Sequence, residues 1–203
     1  MIHRTGVVLL VLCSAALAQV PRSTPIGWGL TGDNPQAYTL SLDRQDAVAG
    51  KASAVLASND PSPPGFGALV QCIRPDDLLG KRVRFTAQVR TRGVAEWAGL
   101  WFRVDGPDGQ MLAFDNMQDP ARRIRGDTPW QPYSIVADVG GEAHDICFGA
   151  LLNGGGRMWV DAVAMQVVDA DVPLTARPYE HFKGEALPIH VLLPRPRNLD
   201  FEE

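Results

Sequence analysis

Between Lys81 and Asp105 apolar and polar side chains alternate with a period of two, the pattern of a strand with one face buried. Val83, Phe85, Ala87 and Val89 share one face and, beyond a turn, so do Ala98, Leu100, Phe102 and Val104. The other face receives Arg82, Arg84, Thr86, Gln88 and Arg90, then Trp97, Trp101 and Arg103. Comparable short runs predict strands at residues 26–30, 37–43, 52–58, 67–74, 81–91, 97–105, 111–114, 133–139, 145–152 and 158–168. Clusters of turn formers separate them: Asn59-Asp60-Pro61-Ser62-Pro63-Pro64-Gly65, Asp105-Gly106-Pro107-Asp108-Gly109 and Asn153-Gly154-Gly155-Gly156. No window carries a long 3.6-residue period, and only short turns at 75–79 and around 180–183 suit helix. Many short strands with Gly/Pro turns predict an all-β chain, an antiparallel β-sandwich or barrel.

The two ends differ from this middle. His3 and Arg4 precede an aliphatic run from Val7 to Leu12, and Ala16-Leu17-Ala18 offers a small-x-small cleavage site. Residues 1–18 therefore read as a secretory signal peptide, with an apolar run shorter than the ~20 residues of a membrane span. An uncleaved anchor is the competing reading, and a lipoprotein at Cys13 suits the preceding Leu12 poorly. The sandwich would occupy residues 19–168. Residues 169–203, with Pro173, Pro178, Pro188, Pro194 and Pro196, read as a Pro-rich tail.

The 203-residue chain has a formal net charge of −4, with no basic tract and no helix-turn-helix pattern, so its own residues predict no nucleic-acid partner. Export would place Cys72 and Cys147 in an oxidising compartment, periplasmic or extracellular. They either pair, if their strands are neighbours, or stay as buried thiols.

The order of landmarks resembles a known superfold. Gly27-Trp28 is followed by Tyr38, Asp43, Gly50-Lys51-Ala52-Ser53, Gln71, Gly80-Lys81-Arg82-Val83-Arg84-Phe85 and Met158-Trp159-Val160-Asp161-Ala162-Val163. This is similar to the galactose-binding-like jelly rolls that include many carbohydrate-binding modules. The stretch Ala98–Asp105, with Leu112–Met117 and Trp130, looks like a bacterial branch of it often attached to other domains. Such domains commonly open with an Asn-Leu-x-Phe-Glu strand just before the Gly-Trp pair. Here the matching string is Asn198-Leu199-Asp200-Phe201-Glu202-Glu203. It would dock as the first strand in a rearranged order, or it opens a further domain.

Candidate residues follow from pattern and resemblance together. Trp97 and Trp101 could stack on pyranose rings, with Arg84, Gln88 and Arg103 bonding hydroxyls or a carboxylate and Asn116 and Trp130 on the rim. The competing reading makes the indoles core beneath a loop or the tail. Asp115 and Asn116 equally suit turn capping, and Arg122-Arg123-Ile124-Arg125 a solvated loop. The resemblance implies a structural Ca²⁺ near Asp161, for which Asp33 and Asp43 are the other carboxylates at hand. Calcium wants 6–8 oxygens, and a hydrogen-bonded aspartate is the alternative. No nucleophile elbow, zinc helix, Cys-x-x-Cys or phosphate loop occurs. The expectation is an exported, non-catalytic module binding a saccharide or cell-envelope glycan. The alternative is an envelope protein whose sandwich face or tail docks a protein partner.

Overall fold

The computed structural model describes residues 23–179 and 191–203; the leader expected at 1–18 and the turn expected around 180–183 lie outside them. Eleven strands occur among the described residues. They are β1 (Gly29–Thr31), β2 (Tyr38–Asp43), β3 (Ser53–Ser58), β4 (Phe66–Ile73), β5 (Lys81–Asp105) and β6 (Met111–Asp115). There follow β7 (Ile124–Val139), β8 (Asp145–Asn153), β9 (Arg157–Val168), β10 (Arg177–Pro178) and β11 (Leu192–Leu193). Every pairing is antiparallel except β11 beside β4.

The two strands expected at 81–91 and 97–105 are one strand, β5, that serves both layers of a sandwich. Its first half pairs with β7 on one side and β9 on the other. Its second half pairs with β8 and β6. Between them the register with β7 slips three times from Val89 to Ala98, and Gly93 takes φ +62°. Bulges bend a strand and increase its twist, which is how one ribbon turns a sandwich corner. The first layer runs β1-β4-β8-β5-β6, with β11 and β10 at its edges; the second runs β2-β3-β9-β5-β7.

The inward sets read from the alternation meet in the core. Val83, Phe85, Ala87 and Val89 face Ala98, Leu100, Phe102 and Val104, all at most 2% exposed. Phe85 of the second layer packs on Phe102 and Phe148 of the first, with ring centroids 6.0 and 5.3 Å away. Because the inner faces oppose each other, the outward residues of the two halves of β5 point to opposite sides of the molecule.

The solvated loop expected at 122–125 is partly strand, since β7 begins at Ile124. Pro129 and Pro132 hide this in the sequence, because proline cannot donate to a ladder and reads as a break. Pairing along the length of β5 outweighs that preference.

The last residues pack against the start of the sandwich as a turn, not as a strand. Asn198 and Phe201 take φ +49° and +55°, left-handed values that lie outside the extended region of regular strand. Phe201 is fully buried, its ring 5.2 Å from that of Trp28. Trp28 Nε1 donates to the Asn198 carbonyl at 2.9 Å, and Asn198 Nδ2 donates to the Ile26 carbonyl at 3.0 Å. The Glu202 carboxylate accepts from the backbone N–H groups of Lys51 and Ala52 at 2.5 and 3.1 Å.

Candidate functional site

On the outer face of the first layer, Trp101 lies over its cross-strand neighbour Gly149 and reaches β4, where Nε1 donates to the Leu69 carbonyl at 3.1 Å. Glycine is required at 149: a Cβ there would sit 1.9 Å from the Leu69 carbonyl oxygen. Trp101 is 5% exposed, packed in a cluster with Ala68, Cys72, Cys147 and Leu151. Cys72 and Cys147 face each other across β4 and β8 and are joined by a disulfide.

Trp97 is half-buried at the margin of this cluster. With the Asn153 amide oriented to meet both its partners, Trp97 Nε1 donates to it at 3.3 Å, and the Arg123 guanidinium lies 5.6 Å from the Trp97 ring centroid. Arg103 is 8% exposed and binds Asp105 at 2.8 Å. Burial pushes the Asp105 carboxyl above its ordinary value; the bond from Arg103 opposes that, and Asp145 across the ladder adds to it. Asn116 folds onto its own loop, accepting from the Gln118 N–H at 3.1 Å, while Asp115 binds Arg122 at 2.6 Å.

Arg84 and Gln88 belong to the first half of β5 and lie on the outer face of the second layer, away from Trp97, Trp101 and Arg103. The five residues on β5 therefore do not form one platform. The period-two pattern shows which way each side chain points but not that β5 changes layers midway.

The second layer carries a different constellation. Trp159 on β9 is 5% exposed, its Nε1 donating to Asp43 Oδ2 at 2.9 Å. The guanidinium groups of Arg90 and Arg157 stand 4.8 and 5.6 Å from its ring centroid. Arg90 is also ion-paired to Asp46, which accepts from Trp130 Nε1 at 3.0 Å. Beside this cluster lies an open groove of about 240 Å³, floored by Val55 and Ala57 and edged by Thr39, Ser41, Asp43, Arg44 and Arg157. It meets a second depression of about 450 Å³ at Ala57 and Arg157, where Ser58, Asn59, Asp60 and Arg92 form the wall. Of the residues singled out from sequence, Trp130, Gln88 and Arg84 share this face. Trp159 and Arg157 were missed as site residues, although the alternation of Arg157, Trp159 and Asp161 in β9 carried the signal.

Asp161 is fully buried and engaged by backbone. Its carboxylate accepts from the N–H groups of Val48, Ala49 and Ala162 at 2.7, 2.9 and 2.6 Å. Those three donors account for the charge in the interior without a metal. Asp43, the second carboxylate considered for calcium, is bound to Trp159 and the Gln45 N–H. Among the described residues no group of three or more His, Cys, Asp or Glu is placed to hold a metal ion.

The backbone arrangement has close counterparts in solved structures. The CBM22-1 xylan-binding domain of Paenibacillus barcinonensis Xyn10C superposes with a TM-score of 0.51 over 72% of this chain and 89% of that domain, at 16% identity. The fold is a jelly-roll β-sandwich, like that of this module. The C-terminal family 22 carbohydrate-binding module of Clostridium thermocellum Xyn10B matches over the same shares, with a TM-score of 0.50 and 13% identity. The enzymatically active domain of bacteriophage CBA120 tailspike protein 4 matches with a TM-score of 0.53 and 14% identity, over 71% of this chain but 20% of the phage chain. At these identities the likeness extends to the fold. No family model matches the sequence. In sequence the chain is 39% identical over 178 residues to YbfP of Bacillus subtilis, named as an uncharacterized HTH-type transcriptional regulator. That alignment takes in 87% of this chain and 57% of the regulator's length.

Proposed function

We propose that this chain is an exported, non-catalytic module that binds a saccharide in the groove on the outer face of its second layer. The observation that carries this reading is the lining itself. Apolar Val55 and Ala57 form a floor, and the hydroxyls of Thr39 and Ser41 and the charges of Asp43, Arg44 and Arg157 stand at its edge. Saccharide rings present apolar faces and a rim of hydroxyls, which suits an open site with an apolar base and polar groups around it. The solved modules of the same fold that are named for xylan or carbohydrate binding support the same ligand class. Export is supported by the leader-like residues 1–18 and by the Cys72–Cys147 disulfide, a bond that persists in oxidising compartments.

A glycan array read with two variants tests the site. Thr39→Trp puts a bulky ring in the groove mouth and abolishes binding, whereas Trp97→Ala on the opposite face leaves it intact. The reverse outcome would move recognition to the first layer, and no binding to any glycan would reject the saccharide reading. Fractionation of cells expressing the full chain tests export, with recovery in the cytoplasm as the contrary result.

The relationship to a transcriptional regulator favours a second reading, in which the sandwich is a sensor whose occupancy is passed to an attached or partner protein. A partner would then be captured only in the presence of the saccharide. Ligand-independent capture would instead point to an envelope protein that docks its partner through the sandwich.

A further inference from the structure

We infer that Arg92 and Arg157 form an anion subsite, which makes the groove selective for an acidic saccharide carrying a carboxylate or sulfate ester. The inference rests on the saccharide reading above and narrows its substrate class. The two residues are register partners on β5 and β9. Like charges placed directly opposite on antiparallel strands repel each other. Both side chains are exposed and line the 450 Å³ depression, yet among the described residues neither is joined to an acidic group. Asp60 in the same wall makes no ion pair with either. Arg90, one strand position earlier on the same outer face, has Asp46 as its counter-charge. The chain thus gives Arg90 a counter-charge and leaves the opposed pair Arg92 and Arg157 to an outside anion, on a molecule whose net charge is −4.

Geometry adds direction to charge. Arg157 lies against the Trp159 ring, which limits the freedom of its planar fork, and it borders both depressions. A sugar lying on Val55 and Ala57 would carry its anionic substituent, or that of the next residue, towards the pair. Guanidinium forks match carboxylate and sulfate oxygens in a bidentate manner, which an ammonium cannot do.

The test is calorimetric titration of the full chain with polygalacturonate, its carboxyl-reduced neutral form, dextran sulfate and dextran. Binding of polygalacturonate or dextran sulfate, with the neutral counterpart at least tenfold weaker, supports the subsite and tells carboxylate from sulfate. Arg92→Gln and Arg157→Gln should each weaken the acidic ligand about tenfold or more, as removal of a charge-assisted bond does, without lowering the unfolding midpoint. Arg157→Lys should restore only part of the affinity. Equal binding of acidic and neutral forms, or full affinity in both Gln variants, overturns the anion subsite while the saccharide module stands. Absence of binding to these four polymers and to every glycan of the array overturns both.

Discussion

Arg103 and Asp105 illustrate how far burial changes the meaning of a residue. In the alternation Arg103 is an outward guanidinium; in the fold it is 8% exposed and tied to a carboxylate that is 4% exposed. Removing one partner of such a pair leaves the other charge without compensation, so Arg103→Met should cost about 3–5 kcal/mol in urea unfolding. The Asp105 carboxyl should also titrate above its ordinary value in carbon NMR, and higher still in that variant. Its folded value is raised, so the folded state keeps the proton at pH values where the unfolded chain has released it. The stabilisation from this group is complete below the unfolded carboxylate value and disappears as pH rises through the folded one. An Asp105 titration at or below the ordinary carboxylate value would contradict this. Trp101 makes the same point for aromatics: its Nε1 is bound to the Leu69 carbonyl, and a Cβ at Gly149 would sit 1.9 Å from that oxygen and 3.3 Å from Nε1. Gly149→Ala should displace both and cost about 1–3 kcal/mol, with a shift of tryptophan emission.

Among elements, the segment from Asn198 to Glu203 does more for the sandwich than its terminal place suggests. It covers Trp28 with Phe201, satisfies the Trp28 indole and holds the backbone at Lys51 and Ala52 through Glu202. Phe201→Ala should lower stability by about 3–5 kcal/mol, the usual range for emptying a fully buried phenylalanine site. Truncation before Asn198 should cost more, because it also frees the donors at Ile26, Lys51 and Ala52. An unfolding midpoint unaffected by truncation would show that these contacts do not persist in solution. The resemblance located this string by its letters and expected a strand. The structure uses the same letters as a turn, because left-handed Asn198 and Phe201 fold it back and direct Phe201 into the core.

At the scale of the whole molecule, the disulfide ties positions 75 residues apart in sequence and adjacent in register. Linking so long a loop restricts the unfolded chain, so the Cys72→Ala/Cys147→Ala double variant should lose about 2–4 kcal/mol. Equal stability with and without the bond would refute that contribution. Pairing of β4 with β8 had to be known before those two cysteines could be joined, and spacing alone does not supply it. The same division runs through the chain. Alternation, turn clusters and the order of landmarks determined an antiparallel sandwich and the inward sets around Phe85 and Phe102, because side-chain direction in a strand is a local property with period two. Which outward residues become neighbours was decided by tertiary structure alone. The bend of β5 near Gly93 sends Arg84 and Gln88 to one side and Trp97, Trp101 and Arg103 to the other, and long-range pairing brings Arg157 opposite Arg92. Strand order and register arise from contacts between distant segments, so no local period encodes them.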